Sequence, residues 1–300
     1  MAPAAPLTGR RIGSDFSGTD GWSMYHGRSV PGFPQHPHRG FETITFARRG
    51  VIDHSDSLGA TARFGTGDVQ WMTAGSGIVH SEMFPLVNTN SDNPVELFQV
   101  WLNLPAVDKL VDPYFTMLWA EEIPHLDLPG GGQVTVIAGR IGDIEPPPPP
   151  PNSWAAREES DIAIWHITLP PRSTWTLPPS RPASNRVLYQ FSGAGLTIDG
   201  QDLPERTGAQ VRSGIEIDIS AGDEPVEVLV LQGAAIGEPV AQYGPFVMNT
   251  PEEIEEAFSD YKQTQFGGWP WPSDDPVHAA TEGRFAIHAD GRRQDAPSTH

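Results

Sequence analysis

The chain has 300 residues, enough for two ordinary domains or one large all-β unit, and its 38% hydrophobic content sustains a packed core. No apolar run is long enough to span a bilayer, and a formal net charge of −19 without a basic run argues against direct nucleic-acid binding. The absence of cysteine excludes thiolate-bound zinc and iron–sulfur clusters, so any transition-metal site must use imidazole and carboxylate.

Met1 to Arg10 is rich in alanine and proline and lacks the basic-then-apolar order of a secretory signal. Together with the missing cysteines, this places the expected location in the cytoplasm. Short alternating segments then follow one another along the chain: 41–46, 95–102, 134–138, 162–167 and 226–231. Their period of two, β-branched content and intervening glycines and prolines predict strands of a sandwich or barrel. Gly65-Thr66-Gly67-Asp68 predicts a tight turn, and Gly75 and Gly77 predict a backbone able to approach a metal closely.

Pro146 to Pro151 is an unbroken proline run that cannot enter a sheet interior. It is expected to be a solvent-exposed insertion near the domain junction rather than a docking ligand. Thr250-Pro251-Glu252-Glu253 combines an N-cap, a proline at the first helical position and a capping box. A helix over about 251–265 follows, with Ile254, Ala257, Phe258 and Tyr261 on one face. Beyond residue 272 the composition turns polar, and disorder is expected from about Asp290.

Two alternating pairs carry the chemistry, His36-Pro37-His38 and His80-Ser81-Glu82. On a strand, residues i and i+2 share a face, so each pair can aim two side chains at one point. Three imidazoles and a carboxylate suit Fe(II), Mn(II), Ni(II), Cu(II) or Zn(II), whereas Ca(II) takes oxygen ligands. Gln70, Thr73 and Gln99 are candidates for orienting ligands or substrate. The remaining histidines form no such His/Glu pair and read as surface or core residues.

The runs 32–43, 56–59 and 67–83 resemble the signatures of the pirin family. Gln99 to Pro105 and Gly244 to Thr250 are similar to pirins as well, so the resemblance spans residues 16–272. It implies an all-β protein with two cupin (jelly-roll-like) barrels in tandem and a short C-terminal helix region. The implied layout is a metal-binding barrel over 12–140, a proline-rich linker over 141–157, a second barrel with helix over 158–272, and a polar tail over 273–300. It also implies one Fe(2+) per chain on His36, His38, His80 and Glu82, with Mn, Ni, Cu or Zn as substitutes. Some pirins act as quercetin 2,3-dioxygenases on a flavonol and O₂. Others are regulators that bind a partner protein.

In the enzyme reading Glu82, the one carboxylate of the set, is the catalytic base for the 3-hydroxyl proton. Phe41, Trp71, Met72, Phe98 and Trp101 are candidate pocket walls. A monomer is expected. Ser76, where many members carry a basic residue, the Phe84 between Met83 and Pro85, and the proline run depart from the family pattern. Residues 186–198 repeat the rhythm of 39–52, which sets Ala183 and Asn185 at the positions of His36 and His38. After Gly208-Ala209-Gln210 nothing matches His80-Ser81-Glu82, so the second barrel is expected to lack metal.

Overall fold

A computed structural model describes residues 30–298. The N-terminal decapeptide, the expected domain start at residue 12, His26 and His300 lie outside the described residues. The protein is mostly β-sheet, with the cupin architecture the sequence predicts, and it divides into two compact units. One unit is residues up to Ala120 together with Glu238 onward, and the other is Glu121–Gly237. The proline run is therefore not where the compact units divide.

The first unit opens with β1 (Gly32–His38), β2 (Phe41–Arg49), β3 (Val51–Asp56) and β4 (Thr61–Gly65). It continues with β5 (Val69–Thr73), β6 (Ile78–Met83), β7 (Glu96–Asn103) and β8 (Tyr114–Leu118). The second unit holds β9 (His125–Asp127), β10 (Gln133–Ala138), β11 (Ala163–Leu169), β12 (Thr174–Leu177) and β13 (Ser184–Ser192). It is completed by β14 (Leu196–Ile198), β15 (Gln201–Leu203), β16 (Gly208–Arg212), β17 (Ile217–Ser220) and β18 (Val226–Ala234). The chain then returns to the first unit with β19 (Ala241–Tyr243), β20 (Phe246–Met248), helix α1 (Pro251–Thr264), β21 (Phe285–Ile287) and β22 (Arg293–Asp295).

In the first unit the sheet β1-β6-β3-β4-β21-β22 and the sheet β7-β2-β5-β8 supply a common apolar core that includes Ile52, Phe64, Met72, Ile78, Phe115 and Trp119. Strands β2 and β5 are buried along nearly their whole length, so the polar side chains of Glu42, Thr43, Thr45, Gln70 and Thr73 are enclosed along with the apolar ones. The second unit has sheets β16-β13-β18-β11-β10-β9 and β12-β17-β14-β15 around a core of Val134, Trp165, Ile167, Leu188, Ile219 and Val228.

The predicted helix forms as α1 with its capping box complete: Glu253 N–H donates to Thr250 Oγ1, and Glu253 Oε2 accepts from Thr250 N–H. Its apolar face packs with Phe246, Met248 and Phe266 onto Val79 of β6, so the helix belongs to the first unit. The tail expected to be disordered is instead a hairpin, because β21 pairs with β4 and β22 with β21. Arg63, fully buried, forks onto both oxygens of Asp53 at 2.7 and 2.8 Å. It also donates to the carbonyls of His278, Ala279 and Glu282, fastening the segment that leads into β21.

The proline run differs from a freely exposed insertion. Pro150 is buried and Pro146, Pro147 and Pro149 are half-buried. At Gly77 the close approach that is seen is to Phe266: a Cβ there would lie 2.6 Å from that ring, which is what the glycine at φ +136° accommodates.

Candidate metal centre

Strands β1 and β6 pair with His36 opposite His80, and a bulge between Phe33 and His36 adjusts the register just before the ligand pair. The result is a triangle of imidazoles. Ring centroids are 4.8 Å apart for His36 and His38, 4.4 Å for His36 and His80, and 4.9 Å for His38 and His80. One ring nitrogen from each of the three lies within 4.8 Å of the others.

The tautomers follow from the neighbours. His36 Nδ1 donates to the Pro34 carbonyl at 2.8 Å and His38 Nδ1 donates to the Pro245 carbonyl at 3.3 Å. A carbonyl only accepts, so each Nδ1 carries the proton and each Nε2 keeps its lone pair. His38 Nε2 and both ring nitrogens of His80 are buried without a partner. Burial, reinforced by His36 and opposed by the Pro245 carbonyl, pushes His38 down to about 3. Burial also holds His80 well below the usual histidine range, with His36, His38 and His54 adding to it. Neutral, buried His38 and His80 with orphaned nitrogens, converging with half-buried His36, are the donor set that a divalent transition metal completes. The residues fit the group.

Glu82 lies outside that three-histidine grouping. Its buried carboxylate is clamped from two sides, with Oε1 accepting from Thr45 Oγ1 at 3.1 Å and Oε2 from Gln99 Nε2 at 2.6 Å. Trp101 Nε1 donates in turn to Gln99 Oε1 at 3.3 Å. Thr45 sits opposite Gln99 on one side and Gln70 on the other, so the three share the interior face and form a polar row facing Glu82. Gln70 is fully buried and both its amide atoms lack partners, as does Thr43 Oγ1 one row along.

Of the expected helpers, Gln99 touches Glu82 and Gln70 faces the interior. Thr73 instead donates to Glu42 on the opposite face of the sheet. Among the expected walls, Phe41 and Trp101 pack 4.4 Å apart and against His38, with Trp101 42% exposed at the mouth. Met72 shares the row of Thr43 and lies in the apolar core. Trp71 and Phe98 stand on the other face: Trp71 Nε1 donates to Glu42, and Phe98 pairs with Phe46.

One pair escaped the sequence reading. His54 and Asp56 pair with Glu82 and His80 across β3 and β6, and both are fully buried. His54 Nε2 lies 3.2 Å from Asp56 Oδ2, its Nδ1 has no partner, and its ring is 5.5 Å from that of His80. Asp56 Oδ1 is fixed by the amides of Leu58 and Ala60. His54-Ser55-Asp56 is a third alternating pair of potential ligands, a signal visible in the sequence had Asp been counted beside Glu.

The second unit offers no counterpart. Gly50 and Gly193 share a positive φ, each beside the carbonyl of a proline that opens the next long strand, and each follows a register shift in the preceding pairing. Strand pairing, with Trp175 opposite Ile219 and Leu177 opposite Ile217, sets Trp175 and Leu177, not Ala183 and Asn185, where His36 and His38 stand opposite His80 and Ile78. Counting forward equally from Gln70 and Ala209, which pair opposite Thr45 and Leu188, sets Ile219 and Ala221 at His80 and Glu82. Both are buried in the apolar core.

Comparisons with known proteins agree with this layout. Residues 10–102 match the family model described as Pirin, and residues 164–267 match the Pirin C-terminal cupin domain. A Pseudomonas aeruginosa protein named "Putative quercetin 2,3-dioxygenase PA3240" is 40% identical over 235 residues, covering 78% of this chain and 79% of that one. A tomato (Solanum lycopersicum) pirin-like protein is 35% identical over 234 residues, covering 77% and 75%. The crystal structure of a quercetin 2,3-dioxygenase from Acinetobacter baumannii superposes with a TM-score of 0.71 at 33% identity, covering 80% of each chain. No helix among the described residues is long and apolar enough to cross a membrane.

Proposed function

The chain belongs to the pirin family, and on that premise we propose that it is a mononuclear iron(II) dioxygenase that opens the ring of quercetin-type flavonols. The observation that carries this reading is the convergence of three imidazoles, His36, His38 and His80, with orphaned nitrogens on the buried His38 and His80, in the barrel that also holds the clamped carboxylate of Glu82. The three histidines would hold the ion, with Glu82 beside them as the candidate fourth ligand. Bound there, iron(II) would supply Lewis acidity and redox chemistry toward O₂.

The chain's own groups do the rest. Trp101 and Phe41 form an aromatic lip beside His38, suited to a flat polyphenol. Glu82, the one carboxylate placed for it, takes the 3-hydroxyl proton at Oε2, the oxygen that Gln99 otherwise holds. Gln99 then stays within reach of the protonated acid and keeps it oriented. The buried Gln70 amide and Thr43 hydroxyl offer a donor and acceptors to substrate oxygens that enter the barrel. One O₂ is consumed, two ring carbon–carbon bonds break, and a depside and carbon monoxide leave.

The test is anaerobic purification, metal analysis, then loss of the quercetin absorption band on admitting O₂. Wild-type protein should consume quercetin with oxygen, and His36→Ala should not. Equal behaviour of the two would overturn the enzyme reading. Near-stoichiometric metal in a His80→Ala, Glu82→Ala double variant would overturn the ligand assignment.

A further inference from the structure

Beside the histidine triangle lies a second polar pair that the proposed chemistry does not use. The pairing of β3 with β6 sets Asp56 opposite His80 and His54 opposite Glu82, so four polar side chains take adjoining positions on one interior face. His54, Asp56 and His80 are all fully buried. Asp56 is held by its own turn, with Oδ1 accepting from the amides of Leu58 at 2.9 Å and Ala60 at 3.0 Å. Its Oδ2 meets His54 Nε2 at 3.2 Å. Phe115 stacks on the His54 ring, with centroids 5.6 Å apart and planes inclined by 26°.

This arrangement fixes the proton of His54. A carboxylate only accepts, so Nε2 is the donor and Nδ1 keeps its lone pair. That Nδ1 is buried without a partner. His80 has the complementary deficit. Both its ring nitrogens are buried and unpartnered, and a neutral imidazole carries one proton that needs an acceptor. Metal-binding imidazoles are normally oriented by a hydrogen bond on the nitrogen away from the ion. His36 and His38 have theirs in the carbonyls of Pro34 and Pro245, whereas His80 has none. Asp56 stands opposite His80 but has both oxygens engaged, which leaves the His54 Nδ1 lone pair. The His54 and His80 ring centroids are 5.5 Å apart. Imidazoles joined by an N–H···N bond of about 3 Å stand roughly 5 Å apart between centroids.

We propose that Asp56 and His54 are positioning residues that select the tautomer of His80. Asp56 keeps the Nδ1 lone pair of His54 open, a small tilt of the rings lets it accept the His80 proton, and the other nitrogen of His80 is left bare for the ion. The inference rests on the three-histidine metal site but not on the flavonol reaction.

Proton–nitrogen NMR of the metal-free protein at about pH 8, where imidazoles are neutral, reads each tautomer directly. In the wild type His54 should carry its proton on Nε2, and His80 should populate a single tautomer. In Asp56→Asn the amides of Leu58 and Ala60 draw the new side chain's oxygen to themselves and leave its NH₂ facing His54 Nε2. His54 should then carry its proton on Nδ1, and His80 should switch tautomer. Zn(II) affinity, measured against a competing chelator, should fall about ten-fold. His54→Phe keeps a ring but offers no acceptor, and should cost the same. The double variant should cost no more than either single one. A wild-type His54 proton on Nδ1, a His80 tautomer unmoved by Asp56→Asn, or losses of affinity that add in the double variant would each overturn the proposal. Protein that meets these expectations yet leaves quercetin intact upholds the proposal and removes the flavonol reading alone.

Discussion

Lys109 offers a sharp test of how the first barrel holds its candidate metal ligands. The residue is 1% exposed, and its Nζ donates to Gly40 O at 2.9 Å, Val247 O at 2.9 Å and Asn103 Oδ1 at 2.7 Å. Burial pushes the amine down to about 8, so at pH 7 it remains an ammonium with every proton used. Gly40 lies two residues after His38, and Val247 two residues after Pro245, whose carbonyl fixes the His38 tautomer. One side chain therefore ties together both chain segments that orient that imidazole. Lys109→Met keeps the length of the side chain and leaves three acceptors without their donor. Each orphaned acceptor costs about 1–3 kcal/mol, while relief of the ammonium's desolvation offsets part of the sum. The expected net loss is about 2–4 kcal/mol, with metal affinity falling roughly ten-fold through the slackened His38. Urea unfolding followed by tryptophan fluorescence, beside a metal titration with a competing chelator, reads both effects. An unchanged urea midpoint together with an unchanged metal affinity would refute the latch.

Four further outcomes are expected. Glu82→Gln should lower turnover of quercetin by about 10²–10⁴-fold, the usual worth of a general base, while the histidine triangle still retains metal on inductively coupled plasma analysis. Gln70→Leu should raise stability by about 1–2 kcal/mol in urea, because it removes two partnerless buried polar atoms, and should lower flavonol affinity. His54→Phe should weaken metal binding by about ten-fold in a chelator competition, since the ring that packs beside His80 loses its Asp56 anchor. For metal-free protein, His38 stays neutral in the fold while the unfolded chain takes up a proton below about pH 6.5, so stability falls as pH drops. At pH 5 that one residue removes about 2 kcal/mol, a loss that His38→Gln should not show in parallel urea titrations.

The parts of this fold that were legible in the sequence are the locally determined ones. Strand alternation and the Thr250 to Glu253 cap each depend on neighbours a few residues apart and form as expected, and the alternating pairs bring His36, His38 and His80 together while Glu82 lies outside that grouping. What was hidden depends on pairing between distant segments. The polar-looking tail becomes β21 and β22 because a buried Arg63, far away in sequence, collects its carbonyls. Trp71 and Phe98 look like pocket walls in a list of aromatics, but register turns both to the far face, and alternation alone does not say which face holds the metal. His54 and Asp56 were missed for the opposite reason. Their spacing is as visible as that of His80 and Glu82, but only the pairing of β3 with β6 shows that they share its interior face.

The two barrels together explain why the polar interior belongs to a site. In the first, the row Gln99–Thr45–Gln70 crosses the sheet with Gln70 left unpartnered, an arrangement that costs stability in an empty barrel. In the second, the same row is Val230–Leu188–Ala209, and its strands pack without any such orphan at those positions. The scaffold therefore does not need the polar row in order to fold. Its retention where His36, His38 and His80 converge, and its replacement where Trp175, Leu177 and Ile219 stand, ties Gln70, Thr45 and Gln99 to whatever occupies the first barrel rather than to the fold. A Gln70→Leu, Thr45→Val pair should accordingly be tolerated by the barrel and felt by the flavonol.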